Sequence, residues 1–183
     1  MKKLLLLLTS SLFISSYPKN EINNSSNIWT AKDIIGTWKL ATFNVNGTTF
    51  GYLNNIQLKR KISSFGKQSN FIFHFSPNYK LNFKGNFTMV TTSTSNGISQ
   101  TIEQEAKVIQ GLNNNTNWFV ENNFLNIVDV NGQSFEISID EFHFDKMILK
   151  YTTKHQHNIK GFEFETSNEQ YIVLERVPDN MYK

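Results

Sequence analysis

The chain has 183 residues and no cysteine. That absence excludes disulfides, thiol nucleophiles and an acylated cysteine behind a leader. A long apolar run is also missing. The longest, Leu4 to Ile14, falls short of the roughly 20 residues a membrane-spanning helix needs. Charge of one sign is missing too. The formal net charge is +3, but Lys2 and Lys3 contribute to it; without them 16 basic residues face 15 acidic ones. A chain this balanced does not argue for a nucleic-acid partner. Finally, the chain has no Gly-x-Ser-x-Gly elbow, no phosphate-binding loop and no paired histidines of the helical metal-binding type. No catalytic residues are assigned, no cofactor is implied, and the reading is of a protein that is not an enzyme.

The beginning of the chain has the layout of an export signal. Met1-Lys2-Lys3 is a short positive region, Leu4 to Ile14 is the apolar region, and Ser15-Ser16 supplies small residues for cleavage. Residues 1–16 are therefore read as a signal peptide and the product as secreted or periplasmic, without a stable membrane span. Residues 17–29 follow as a flexible tether, rich in Asn and Ser, with little apolar surface to bury. Residues 30–183 are long enough for a single domain with one sizeable core.

Order begins at Thr30-Ala31-Lys32-Asp33, which has the form of a capping box. Ile34 and Ile35 give the turn an apolar face, and Gly36 ends it. From Trp38 onward the period is two. Trp38, Leu40 and Thr42 fall on one face. Phe71, Phe73 and Phe75 alternate with Ile72 and His74. After the Pro77-Asn78 turn, Leu81 and Phe83 alternate with Lys80, Asn82 and Lys84. A strand pair follows around Asn122-Asn123, and then Asn131-Gly132, a strong hairpin signal. Phe135, Ile137 and Ile139 come next, followed by Met147, Leu149 and Tyr151, then Phe162 and Phe164, and last Tyr171 to Val177 before Pro178. Phe supplies 16 residues, and aromatic residues favour strands. Together these predict an all-β, antiparallel, up-and-down barrel of about eight to ten strands with a short N-terminal helical turn.

Two stretches do not follow the pattern. Asn46 to Ser69 reads either as a strand plus a loop or as a short helix across the barrel mouth. Thr91 to Asn117 is polar and reads as a long loop with one β-like piece, Ile102 to Ile109. The pair His155-Gln156-His157 would place both rings on one side of a strand, as a metal grip requires. No carboxylate completes such a set and Lys154 and Lys160 lie beside it, so the two are read as exposed loop histidines and no metal is assigned. Asp140-Glu141 is read as turn chemistry.

Asp33 to Leu40, with Gly36-Thr37-Trp38 at its centre, resembles the opening of the lipocalins and the wider calycin superfamily. The order of leader, Gly-x-Trp, the Phe73-His74-Phe75-Ser76-Pro77-Asn78 hairpin and the Tyr171 to Val177 strand is similar to that of small secreted lipocalin-like proteins of Gram-negative bacteria. In the last strand Ile172, Leu174 and Arg176 share a face. Arg176 is thus either solvated at the strand end or buried against a partner. The resemblance implies the second: a structural closure in which Arg176 lies across the Trp38 indole, a role suited to a planar, weakly hydrated guanidinium.

The resemblance also implies a cup for a small apolar or amphipathic ligand, held by apolar burial. The candidate lining is Phe71, Phe73, Phe75, Leu81, Phe83, Leu149 and Tyr151. The alternative is an envelope or extracellular interaction module whose barrel is filled by its own side chains, since small eight-stranded barrels can be packed solid. Periodicity alone does not decide between them.

Overall fold

The computed structural model describes residues 28–53, 56–106, 114–129, 131–159 and 162–182. The expected signal peptide and most of the tether lie outside the described residues. Among the described residues a helical turn α1 (Ala31–Ile34) leads into eleven strands: β1 (Gly36–Leu53), β2 (Ile56–Lys67), β3 (Ile72–Phe75), β4 (Lys80–Lys84), β5 (Phe87–Ser95), β6 (Ile98–Ala106), β7 (Thr116–Glu121), β8 (Phe124–Val128), β9 (Ser134–His143), β10 (Lys146–Ile159) and β11 (Phe162–Val177). A 3-10 turn, Asp179–Met181, follows. Among the described residues no helix is long and apolar enough to cross a membrane.

Eight strands close a barrel in the order β1, β3, β4, β7, β8, β9, β10, β11 and back to β1, with every pairing antiparallel. The other three arise because β1, at 18 residues, outruns its neighbour β3. Gly36 to Lys39 pair with β3, whereas Asn44 to Leu53 pair with β2. From β2 the sheet continues to β5 and ends at β6. The molecule thus has a closed proximal barrel and a distal sheet of β10, β11, β1, β2, β5 and β6 that shares its three long strands.

Where they are described, both irregular stretches consist mainly of strands; residues 107–113, with the end of the expected piece Ile102 to Ile109, lie outside the described residues. Asn46 to Ser69 holds the distal part of β1 and all of β2, with no helix across the mouth among the described residues. Most of the expected loop from Thr91 onward is the β5–β6 hairpin, turning at Asn96 (φ 51°) and Gly97 (φ 78°). Phe162 to Val177 is one strand, not two.

A bulge changes the expected face of β1. The register with β11 shifts between Leu40 and Thr42, so one extra residue enters and the alternation changes phase. Trp38, Leu40 and Phe43 are buried, while Thr42 is only half-buried. A second bulge lies in β9, where Ile148 pairs with Glu141 and Leu149 with Ile139. Asp140 and Glu141 therefore sit in a strand, not a turn. Asp140 reaches Lys150 at 2.8 Å, and Glu141 reaches His143 at 2.7 Å.

The core runs through the proximal barrel. Phe43, Phe87, Phe71 and Phe83 are linked ring to ring at 5.6–5.7 Å, and the series continues from Phe71 through Phe73 and Phe75 to Trp118 at 5.1–6.4 Å. Offset and edge-on ring pairs add to the roughly 1.5–3 kcal/mol gained by burying each side chain. The inner face of the distal sheet is polar by contrast. Ser64, Thr153, His155 and Asn168 are buried there. Hydroxyl contacts knit it together: Ser64 to Thr91 at 2.9 Å, and Arg60 Nε donating to Ser93 Oγ at 2.6 Å.

The bulge yields a direct test. Phe43→Ala should cost about 3–5 kcal/mol, as truncation of a core aromatic does, and Thr42→Ala about 0.5 kcal/mol. Equilibrium denaturation of the two variants checks this; the reverse ranking would mean that β1 runs unbulged.

Candidate functional site

The base of the barrel is built around one guanidinium. Trp38 and Arg176 are directly opposite in the β1–β11 register. The Arg176 Cζ lies 4.3 Å from the Trp38 ring centroid, and the Phe144 ring lies 5.2 Å away. Arg176 donates from Nη1 to the Ile35 carbonyl (2.8 Å), from Nη2 to the Asp33 carbonyl (2.6 Å) and from Nε to the Phe144 carbonyl (2.6 Å). Trp38 Nε1 donates to the Ile34 carbonyl at 2.8 Å. The carbonyls of Asp33, Ile34 and Ile35, which a short helical turn leaves without intrahelical partners, are thus all taken up. A planar fork over an indole suits this job, and the point charge of lysine does not.

Gly36 belongs to the same unit. Its φ is +132°, and a Cβ at this position would lie 2.6 Å from Arg176 Nη1. At the other end of α1 the Asp33 carboxylate accepts from the Thr30 hydroxyl (2.7 Å) and the Thr30 backbone N–H (2.8 Å). Those bonds, hydroxyl first, hold its pKa below the usual carboxylate value; burial opposes them and Arg176 assists.

Of the seven candidate lining residues, Phe71, Phe73, Phe75, Leu81, Phe83 and Leu149 are buried in the proximal core. Tyr151 is half-buried and packs against its upper edge. The structure therefore brings all seven into one region, where Phe71 touches Phe73 and Phe83, and Phe73 touches Phe75. The same interior contains Phe43, Phe87 and Trp118, which sequence reasoning did not assign to it. Trp118 had a usable signal, standing two residues from Val120 in a strand. Phe43 had none, because the bulge is silent in the sequence. The Trp118 indole N–H is buried (1% exposed) and has no hydrogen-bond partner among the described residues, and the same holds for the Thr153 hydroxyl (3% exposed).

The histidines are placed differently from the sequence reading. His155 lies in β10 and is buried, not in an exposed loop. The side chain of His157 is outside the described residues. Among the described residues no group of three or more His, Asp or Glu is placed to hold a metal. His74 stacks on Tyr182 at 4.8 Å, and its Nδ1 lies 3.0 Å from the Thr37 hydroxyl, which donates to Asp179 at 2.7 Å. The residues after β11 are thereby fastened over the outside of β1 and β3.

None of the seven borders either of two clefts, both on the outside. A cleft of about 490 Å³ lies on the outer face of the distal sheet, where Asn46, Thr48, Lys61, Ser63, Thr92 and Glu169 converge. These alternate with the inward residues of β1, β2, β5 and β11, so the surface presents hydroxyls and amides with one cation and one carboxylate. A second, of about 450 Å³, lies at the base between Trp29, Lys32, Phe142 and Arg176.

No known protein family, curated protein or solved structure matches the chain. The closed, eight-stranded antiparallel barrel is consistent with a calycin-like fold.

The base closure makes a graded set of variants. Trp38→Ala should destabilise by about 3–5 kcal/mol. Gly36→Ala should also destabilise, by about 1–3 kcal/mol, because it combines backbone strain with displacement of the guanidinium. Arg176→Lys keeps the charge and should still lower the unfolding midpoint. Unchanged midpoints in urea for all three would contradict the described role of the closure.

Proposed function

We propose that this chain is an exported, non-catalytic binding module of lipocalin-like build, whose barrel is filled by its own side chains and which meets its partners through its outer surface. The observation that carries the reading is the ring-to-ring packing of Phe43, Phe87, Phe71, Phe73, Phe75 and Trp118 along the barrel interior. A ligand entering there must first separate rings already in contact, and such cores are dense enough to feel the addition of a single methylene. The hydroxyl- and amide-lined outer cleft supports a polar partner in preference to an apolar one. The leader-like residues 1–16 support export.

One observation favours the second reading, a cup for a small apolar or amphipathic ligand. Among the described residues the Trp118 N–H and the Thr153 hydroxyl are buried polar groups without partners, and such groups usually have a partner, which can be an ordered water. A ligand carrying an acceptor would satisfy the indole.

The two readings separate in one experiment. Protein purified from its source is weighed by native mass spectrometry and then titrated with an environment-sensitive apolar dye and a panel of fatty acids. The filled barrel predicts the mass of the polypeptide alone and no saturable site. A retained lipid, or one dye site per chain that Phe73→Leu weakens while circular dichroism stays unchanged, would overturn it in favour of the cup.

A further inference from the structure

The distal sheet has two ends, and they are unequal. At one, the part of β10 beyond β9 carries Lys154 and turns the buried Thr153 and His155 inward. At the other is β6, nine residues long, with no proline, lysine or arginine, and paired with β5 without a bulge. Eight of its residues are exposed, among them Ile98 (76%) and Ile102 (38%). Among the described residues no strand pairs with its outer side. Natural edge strands normally carry a blunting device such as a central lysine, a proline or a bulge; β6 has none of these.

The hairpin geometry says which backbone groups are free. Ser95 and Ile98 are directly paired across the two-residue Asn96-Gly97 turn, with both turn residues at positive φ. In such a turn the closing pair exchanges both backbone hydrogen bonds. Alternate residues Ile98, Gln100, Ile102 and Gln104 therefore direct N–H and C=O toward β5, while Ser99, Thr101 and Glu103 direct theirs to the open edge. The side chains agree. Thr92 meets Thr101 at 2.9 Å and Thr94 meets Ser99 at 2.8 Å, as fits the non-hydrogen-bonded pairs, where side chains are closest.

We infer that β6 is a self-complementary interface at which two copies of this chain pair edge to edge, antiparallel, about a twofold axis through Gln100. In this register Ser99 and Thr101 of the two copies form hydrogen-bonded pairs twice over. Ile98 of each copy comes directly opposite Ile102 of the other, in the non-hydrogen-bonded position where cross-strand side chains interact most strongly. Charge fits as well. Glu103 faces Gly97 of the second copy, no two carboxylates are opposed, and Glu103 already has Lys67 at 2.7 Å. The contact is isologous and closes at two copies, as a symmetric dimer requires. It joins the two distal sheets into one and covers the most exposed isoleucine of the strand. The inference is independent of what fills the barrel, so dye binding and dimerisation can succeed or fail separately.

Sedimentation equilibrium on the full-length product, from micromolar to near-millimolar concentration, tests it. The wild type should show a reversible monomer–dimer equilibrium. Thr101→Pro removes an edge-directed N–H while sparing the bonds to β5, and should weaken the dimer at least tenfold with an unchanged far-UV spectrum. Ile98→Lys should weaken it similarly, and adding Ile102→Glu should restore it, because the new charges are opposite each other only in this register. A wild type that stays monomeric throughout, including one that binds an extended peptide instead, would overturn the second copy as occupant. A dimer indifferent to Thr101→Pro and Ile98→Lys would overturn the edge, and failure of the double variant to restore it would overturn the register.

Discussion

The structure depends on the guanidinium of Arg176. It lies between the rings of Trp38 and Phe144 and collects the carbonyls of Asp33, Ile35 and Phe144. These carbonyls come from the helical turn and from the β9–β10 connection, so one side chain on the last strand binds the start of the domain to its far side. The barrel closes at the same place, because β1 and β11 are the first and last strands and Trp38 and Arg176 face each other across their seam. A charge held by three carbonyls and two ring faces is well solvated by the protein itself, which offsets the cost of leaving water.

From that base the molecule changes character along its length. The proximal barrel is apolar and packed with aromatic rings. Above Val45 the long strands β10 and β11 carry Thr153, His155 and Asn168 inward, and with β1 they run on past the barrel to form the distal sheet with β2, β5 and β6. The branch in β1 makes this possible, since one strand serves β3 with its first residues and β2 with its last. A filled apolar base and an open polar sheet are different surfaces, and a module acting through its exterior has its broadest exposed area in the second.

Legibility in the sequence followed the contrast between faces. Where apolar and polar residues alternate, as in Phe71 to Phe83 and Phe135 to Ile139, the strands and the residues that share a face could be read, but not which face points inward, and Ile72 is buried along with its phenylalanine neighbours. The pairing of Trp38 with Arg176 was suggested by a motif and a shared strand face. The β5–β6 hairpin was not legible, because Thr, Ser and Gln occupy both of its faces and leave the period without amplitude. Its available signal was Asn96-Gly97. The dipeptide alone is ambiguous, since Asn46-Gly47 lies in mid-strand in β1. The Ala41 bulge changed the inward residue from Thr42 to Phe43 with no mark in composition or period. The burial of His155 depends on how far β10 extends, which local spacing does not encode.

With the closure at Arg176, stability should be greatest at the base and decline toward the distal sheet. Native-state hydrogen exchange measures that gradient residue by residue. The slowest amides should be those of Trp38 to Leu40 in β1 and Ile172 to Arg176 in β11, exchanging only through global unfolding, with Leu58 to Ile62 of β2 opening at lower free energy. Equal protection in both regions, or slower exchange in β2 than at the base, would contradict it.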